Sequence, residues 1–377
     1  MQKQWKIGVV FDTSKDYRKG HGTERSFAGL PNVEVALVDS NTVDLEPRMN
    51  NAGAKRHYVD YREMISAERP DIVCFCSRVP EEHYEPIKTA IESGCHILCE
   101  KPLCASLEEN DHLITLAEQH NAKVAVAHLA RYALVFRTAK RMIENGDIGK
   151  VLTVYGRGKE DERGGGEDMM VLGTHIFDLM TFLFGCPEYV FADVRNQGRP
   201  LVATDRLDTS EPVGICAGDA IWAYFRFAND VNGAFESRRD LYEEQIRMGI
   251  TVVGTTGTLS VRYDHKRDLR LSRSKLPMED EAHYEVIPLK EDRILPPDIE
   301  PIDYENYGHG TGNYYFGDNN RFAALDLMSA IDEDRQPVSS IYDAKVALEM
   351  IYGVYASSLA RKAVTFPLED RKHPLGE

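Results

Sequence analysis

The sequence has no uncharged apolar run approaching the ~20 residues that a membrane-spanning helix needs, so no membrane partner is expected. It has no Cys-x-x-Cys pair, which argues against a structural zinc site. Its seven cysteines are an odd number. Five of them (Cys74, Cys76, Cys95, Cys99, Cys104) sit in or beside strand-like apolar runs, so buried free thiols in a reducing compartment are expected, not a disulfide framework. Positive charge is scarce: 45 Lys and Arg stand against 61 Asp and Glu, a formal net charge of −16. Such a chain repels phosphate backbones, which excludes nucleic acid as an expected partner while leaving room for a local anion pocket. No leader pattern is visible either. Met1-Gln2-Lys3-Gln4 runs straight into an apolar segment without a small-residue cleavage site, and a cytoplasmic location is expected. Hydrophobic residues at 42% and charged residues at 28% are ordinary for a folded protein, with only the polar tail after Asp370 reading as disordered.

What is present divides into two patterns. At roughly 100–200 residues per domain, 377 residues predict two domains. From Lys6 to Ala127, apolar strand-like runs alternate with helical ones. Lys6–Phe11, Val33–Val38, Asp71–Cys76, His96–Cys99 and Val124–Ala127 read as strands. Thr23–Ala28, Tyr61–Glu68 and the segment opened by the capping box Ser106-Leu107-Glu108-Glu109 read as helices. Alternation of this kind predicts a doubly wound parallel sheet covered on both faces, with its ligand site at the carboxyl ends of the strands. The boundary is placed near His128, giving a dinucleotide-binding Rossmann domain over 1–128 and a substrate-binding and oligomerisation domain over 129–377. In the second part a few helices (Tyr132–Asn145, Met169–Phe184) precede a series of strands (Ala220–Phe227, Val231–Glu236, Ile250–Val253, Thr258–Val261). That order predicts an α+β domain with a large open mixed or antiparallel sheet. Two late helices, Asn319–Asp332 and Tyr342–Ala360, follow a stretch rich in Pro, Asp and Tyr.

A dinucleotide site needs close backbone approach to the diphosphate, a helix N-terminus, and an acid for the ribose hydroxyls. Asp39, at the end of the second strand, is placed for the ribose. A carboxylate there repels a 2′-phosphate, which favours NAD over NADP. The glycine fingerprint that should follow the first strand is absent. Phe11-Asp12-Thr13-Ser14 stands there, and Gly20-His21-Gly22 comes later with Arg25 at the third-glycine position. Backbone N–H groups and the hydroxyls of Thr13 and Ser14 are the remaining candidates for cradling phosphates.

The most specific signal is Glu100-Lys101-Pro102-Leu103 directly after the strand His96–Cys99. It is preceded by Asp71-Ile72-Val73, Pro80-x-x-His83 and Ala90-x-x-x-Gly94, and followed by Arg131-Tyr132 and Asn145-Gly146-Asp147-Ile148-Gly149-Lys150-Val151. In this order and spacing the chain resembles the Gfo/Idh/MocA oxidoreductase family, from the first strand to about Gly185. The resemblance implies an NAD-binding Rossmann domain and a C-terminal domain on a large open sheet that often mediates oligomers, here a homodimer or homotetramer. It implies a carbohydrate-like substrate, oxidised or reduced at a hydroxyl-bearing carbon. It sets Lys101 beside the nicotinamide and the reacting hydroxyl, and puts Phe11, Gly20, His21, Gly22, Ser77, Arg78, Pro80, His83, Glu100 and Arg131 on the cofactor side. An ammonium there orients the hydroxyl and polarises the forming carbonyl, and partial desolvation beside a cationic ring suits it to proton transfer.

The family usually carries Asp-x-x-x-His on the helix after a Gly-rich loop, here Gly164-Gly165-Gly166. The histidine is His175, but Val171 stands four residues earlier. Asp168, seven residues before His175, falls two α-helical turns back on the same face, on the order of 10 Å away along the axis. It is a candidate to compensate. Asp178, Arg163 and Glu167 are candidate substrate contacts, with His309 from the later irregular stretch. The scattered acids of this region fit no metal-ligand spacing, and no metal is expected. Three functions are therefore in view: an NAD(P)-dependent dehydrogenase of a sugar, sugar acid or polyol; a redox-neutral enzyme that keeps NAD tightly bound; and a sugar or nucleotide sensor without catalysis. The central expectation is that Lys101 and His175 act on one substrate from separate domains.

Overall fold

The computed structural model describes residues 3–15, 20–239, 241, 248–263, 268–274, 280–289 and 314–376. The chain divides into two compact units. One comprises Met1–Tyr132 with Arg293–Lys345, the other Ala133–Asp292 with Val346–Glu377. Residues 314–345 therefore return to the first unit, although they lie far beyond the expected boundary at 128.

The first unit is built on β1 (Trp5–Val10), β2 (Val33–Val38), α1 (Leu45–Ala52), β3 (Ala54–Tyr58), α2 (Tyr61–Glu68), β4 (Ile72–Phe75), α3 (Tyr84–Glu92), β5 (His96–Cys99), α4 (Leu107–Gln119) and β6 (Val124–Val126). The six strands form a parallel sheet in the order β3-β2-β1-β4-β5-β6. The order reverses between β1 and β4, which makes their carboxyl ends the switch point where open α/β sheets bind ligands. Alternate strand residues feed two cores. Val38, Val73, Phe75, Ile97, Cys99 and Val126 pack under Met64, Ile87, Ile91 and Leu113 of the helices. Ile7, Val9, Val35, Leu37, Cys74 and Leu98 pack on the opposite face with Phe27, Leu30, and Ala323, Ala324 and Leu327. These last three belong to the late helix α8 (Tyr314–Asp332). Ser106 accepts from the N–H of Glu109 and caps α4 as the sequence predicts. The helix expected over Thr23–Ala28 is shorter: only Thr23–Arg25 is helical, as a single 3-10 turn.

The second unit contains α5 (Leu134–Glu144), β7 (Val151–Arg157), α6 (Gly166–Asp168), a π-helical turn over Met169–Gly173, α7 (Thr174–Phe184), β8 (Tyr189–Asn196), β9 (Arg199–Pro200), β10 (Ala220–Arg226), β11 (Asn232–Arg238), β12 (Gly249–Gly254), β13 (Thr258–Arg262), β14 (Arg270–Ser272) and β15 (Glu285–Val286). The last elements are α9 (Ile341–Ala360), whose first turn falls in the first unit, and β16 (Val364–Thr365). Among the described residues these strands form one mixed sheet, β15-β14-β13-β12-β7-β11-β10-β8-β16, with β9 on β8 and a parallel pair at β7 and β11. One face is covered: Phe177 of α7 sits against Phe225 and Phe235, and a side chain at Gly156 would collide with Ile176 and Met180. The other face presents Tyr155, Phe191 and Trp222, each 48% exposed. No helix of the described residues is long and apolar enough to cross a membrane. None of the seven cysteines is in a disulfide; six are buried and Cys186 is exposed.

Candidate active site

The carboxyl ends of β1 and β4 open onto a cavity of about 250 Å³ lined by Val10, Asp12, Tyr61, Phe75, Cys76, Ser77, Glu82, His83 and Pro86. Apolar walls with a few polar groups at a switch point suit a flat ring and its ribose. Of the expected cofactor residues, Ser77 and His83 line it directly. His83 is buried and works as a staple. Its Nε2 lies 2.8 Å from the Ser77 carbonyl and its Nδ1 3.0 Å from the carbonyls of Pro102 and Leu103. It thereby ties the exit of β4 to the segment just after Lys101. Burial pushes its pKa down against these carbonyls, which favour the charged ring.

Glu100 and Lys101 follow β5 and are both buried; the Lys101–Pro102 peptide is cis. Glu100 turns inward. It accepts the His21 N–H at 3.0 Å and the Thr23 hydroxyl, and lies 3.6 Å from His21 Nδ1. Burial opposes ionisation, but His21 and Thr23 outweigh it and hold the carboxyl at about 2. Glu100 thus anchors His21 and Thr23, which stand after the segment where the glycine fingerprint is missing. Gly20 is required there: a Cβ would stand 2.9 Å from the Cys76 carbonyl oxygen and 3.0 Å from Glu100 Oε1. Gly22 caps the 3-10 turn at φ 84°.

Asp39 does not present a bare carboxylate. It is fully buried. Its oxygens accept from Thr13 N (3.0 Å), Thr13 Oγ1 (2.9 Å), Asn41 N (3.0 Å) and Arg48 Nε (2.6 Å). The Thr13 hydroxyl is spent on this cluster, while the exposed Ser14 donates its N–H to Asp12. Phe11 continues β1 by donating to the Val38 carbonyl. Pro80 is buried at the start of a 3-10 turn, and Arg78, two residues before it, is partly exposed. Arg131 is buried and paired with Asp343 at 3.0 Å.

In the second unit, His175 stands in the first turn of α7 and is 8% exposed, with the fully buried Asp178 three residues on. The expected alignment of Asp168 with His175 does not hold. The five-residue π turn between them alters the helical phase, as an inserted residue does. Asp168 is fully buried and accepts from Ser237 Oγ (2.5 Å), Glu160 N (3.1 Å) and Lys159 N (3.2 Å). Burial nevertheless raises its pKa. In this geometry it ties the Lys159–Glu160 backbone to Ser237 of β11. Glu167 accepts from Ser210 N and Oγ and Glu211 N. Arg163 is clamped between Asp161 (2.7 Å) and Glu211 (2.8 Å); burial notwithstanding, Arg163 and Lys159 draw the Asp161 carboxyl down to about 2. The glycines are packing residues as well. A Cβ on Gly164 would meet the Arg238 carbonyl, and one on Gly165 or Gly166 the carbonyls of Gly218 or Ala217, all within 2.4 Å. His309 lies outside the described residues.

Sequence reasoning overlooked Arg48, which neutralises Asp39, and Asn320 of α8, whose amide donates to the His21 carbonyl at 2.9 Å. Arg48, nine residues after Asp39 on the next helix, was legible as a possible partner. Asn320, 299 residues from His21, left no local signal.

Residues 15–128 match the family model described as an NAD-binding Rossmann-fold oxidoreductase, and residues 136–260 match the GFO/IDH/MocA C-terminal domain. The chain belongs to the Gfo/Idh/MocA oxidoreductase family. Among family relatives, it is 24% identical to an uncharacterised oxidoreductase of Bacillus subtilis over 69% of this chain and 75% of the relative. It is 27% identical to levoglucosan dehydrogenase of Pseudarthrobacter phenanthrenivorans over 64% of this chain and 67% of that protein. The match to D-glucoside 3-dehydrogenase of Escherichia coli, 26% identical, spans 41% of this chain and only 47% of the relative. A solved levoglucosan dehydrogenase in complex with NADH and levoglucosan has the same fold, with a TM-score of 0.74 at 20% identity over 97% of this chain and 100% of that one.

Proposed function

We propose that this family member interconverts a hydroxyl and a carbonyl on a sugar, sugar acid or polyol, with hydride passing between that carbon and a nicotinamide dinucleotide. The observation that carries the reading is Lys101, buried immediately after β5 at the carboxyl edge of the parallel sheet, in a family whose first domain is NAD-binding. The cavity between β1 and β4 suits one ring and ribose of such a cofactor: Phe75, Tyr61 and Pro86 offer apolar walls, and Asp12 and Ser77 offer polar atoms. A bound nicotinamide supplies the hydride acceptor. Lys101 donates a hydrogen bond to the substrate oxygen and stabilises charge as it becomes a carbonyl. His175 takes the hydroxyl proton, acting without the carboxylate four residues earlier because Val171 occupies that place. Asp168, Glu167 and Arg163 act on the substrate only indirectly, by holding the loop ahead of α7.

The neutralisation of Asp39 by Arg48 removes the repulsion on which a strong preference for NAD would depend. NADP(H) is therefore expected to bind within about tenfold of NAD(H), a difference of about 1.4 kcal/mol. Self-association is expected through the open sheet face, where Tyr155, Ala234, Tyr224 and Phe191 follow one another across four strands.

The test is a panel of sugars, anhydrosugars, sugar acids and polyols with NAD⁺ and with NADP⁺, read at the reduced-nicotinamide absorbance band. Turnover on a member of that panel supports the reading. Turnover confined to substrates without a hydroxyl-bearing carbon overturns it.

A further inference from the structure

The β4–β5 ladder ends at Phe75 and Cys99, where the Glu100 N–H donates to the Phe75 carbonyl at 3.0 Å. Past that point the chain after β4 walls the cavity with Cys76 and Ser77, and the chain after β5 carries Lys101. Carbonyls just beyond a ladder still need donors when they are buried. Those of Ser77, Pro102 and Leu103 share one side chain. The His83 ring has Nε2 2.8 Å from the Ser77 oxygen and Nδ1 3.0 Å from each of the other two. The Cys99 thiol, 3.5 Å from Nδ1, is turned to the Glu100 carbonyl at 3.1 Å. A carbonyl oxygen only accepts, so both ends of the ring are hydrogen-bonded when it carries both protons. Burial opposes that charge; the three carbonyls and the ionised Glu100 favour it.

The ring has a rigid mount. His83 closes the 3-10 turn Pro80–Glu82 by donating its N–H to the Pro80 carbonyl at 3.2 Å, and opens α3 by accepting from the Ile87 N–H at 3.0 Å. Ile87, Ala90 and Ile91 root α3 in the core. Lys101 therefore stands between two fixed points. On one side the Glu100 carboxylate accepts from the Thr23 hydroxyl. On the other the Pro102 and Leu103 carbonyls meet His83. We propose that His83 is a positioning residue, whose Nδ1 end fixes where the Lys101 ammonium stands and whose Nε2 end fixes the Ser77 wall of the cofactor cavity. The proposal rests on the reading that Lys101 serves the reacting hydroxyl. His83 touches neither substrate nor cofactor in this role. It couples the two through backbone segments that the sheet no longer holds together, and each end of the ring has its own kinetic consequence.

The experiment uses two amides, each of which keeps one ring nitrogen's place. His83→Asn keeps a donor at the Nδ1 place and His83→Gln keeps one at the Nε2 place. The full-length variants are assayed for turnover on the best substrate of the panel and for NADH binding by calorimetry. A third measurement is the rate at which formaldehyde and cyanoborohydride methylate Lys101 in the folded protein, read by mass spectrometry. His83→Gln should lower kcat by about 10²-fold, the cost of misplacing a reacting group by about 1 Å. Its NADH affinity should match wild type, and its Lys101 should be methylated faster. His83→Asn should keep kcat and the methylation rate while NADH binding weakens about tenfold. A merely structural role predicts equal losses in both variants, in step with the folded fraction, and that result overturns the proposal. So does a wild-type methylation rate in His83→Gln. Loss of NADH affinity in both variants with kcat intact marks a direct cofactor contact and overturns it as well. If Lys101→Met turns over like wild type, the reading of Lys101 fails by itself, and the methylation rates still decide whether His83 holds the segment.

Discussion

Both units carry buried carboxylates next to residues expected to do chemistry, but those carboxylates hold different things. In the first unit Glu100 grips His21 and Thr23, so its charge is tied to the segment that opens the 3-10 turn. In the second unit Asp168, Glu167 and Asp161 grip Ser237, Ser210 and Arg163, and close a network within the loop and sheet. A carboxylate of the first kind, when changed, releases a segment held to it from 77 and 79 residues away. One of the second kind, when changed, leaves buried donors without acceptors. The comparison teaches that a charged cluster beside a glycine-rich segment is not by that fact a binding site. The three glycines here are needed for backbone-to-backbone packing, and the charges satisfy the donors that such packing buries.

The largest effect that tests this contrast is on turnover. Lys101→Met and His175→Ala are each expected to lower kcat by about 10²–10⁴-fold, the usual value of a positioned proton-transfer group, with little change in melting temperature. Full activity in either variant breaks the proposed pairing. Asp168→Ala is expected to behave in the opposite sense. It strands the Ser237 hydroxyl and two backbone N–H groups, at about 1–3 kcal/mol for each buried group left unpaired. The melting temperature should fall by several degrees, and the activity of the folded fraction should stay within a few-fold of wild type. A stable Asp168→Ala protein with turnover as poor as Lys101→Met would return Asp168 to the site.

The smallest expected effect is on acid stability. His96 and His373 have pKa values lowered to about 4, chiefly by burial. A lowered folded-state value means that their contribution is fully present above the ordinary histidine value near 6.5 and is lost as the pH falls from there toward 4. Glu100 follows in a lower window. Held at about 2, it contributes on the order of 3 kcal/mol that is present above about pH 4.5 and lost as the pH falls toward 2. Thermal melts in a pH series should therefore show wild type losing stability first between pH 6.5 and 4. Glu100→Gln should flatten the later loss only. If it also removes the earlier loss, the carboxylate does not titrate as described.

Much of the architecture was legible. The alternation of apolar runs located β1, β2, β4, β5 and β6 because buried parallel strands are apolar on both faces. β3 and α1 were not read from the sequence. β3 is the polar run Ala54-Lys55-Arg56-His57-Tyr58 at the sheet edge, half-exposed and without alternation. The strand β8 alternates buried and exposed residues from Val190 to Val194 and carried a readable signal. The π turn was not legible, since Met169–Gly173 has the composition of any buried helix.

The sequence by itself determined the family, the parallel sheet and the place of Lys101, because these follow from local runs and from a motif fixed in spacing to one strand end. Only the tertiary structure decided which charged groups face inward. It turned Asp39 toward Arg48, Glu100 toward His21 and Asp168 toward Ser237. A carboxylate pairs with whichever donors the fold buries beside it, and those of Glu100 and Asp168 include groups 79 and 69 residues away, beyond the reach of any local pattern.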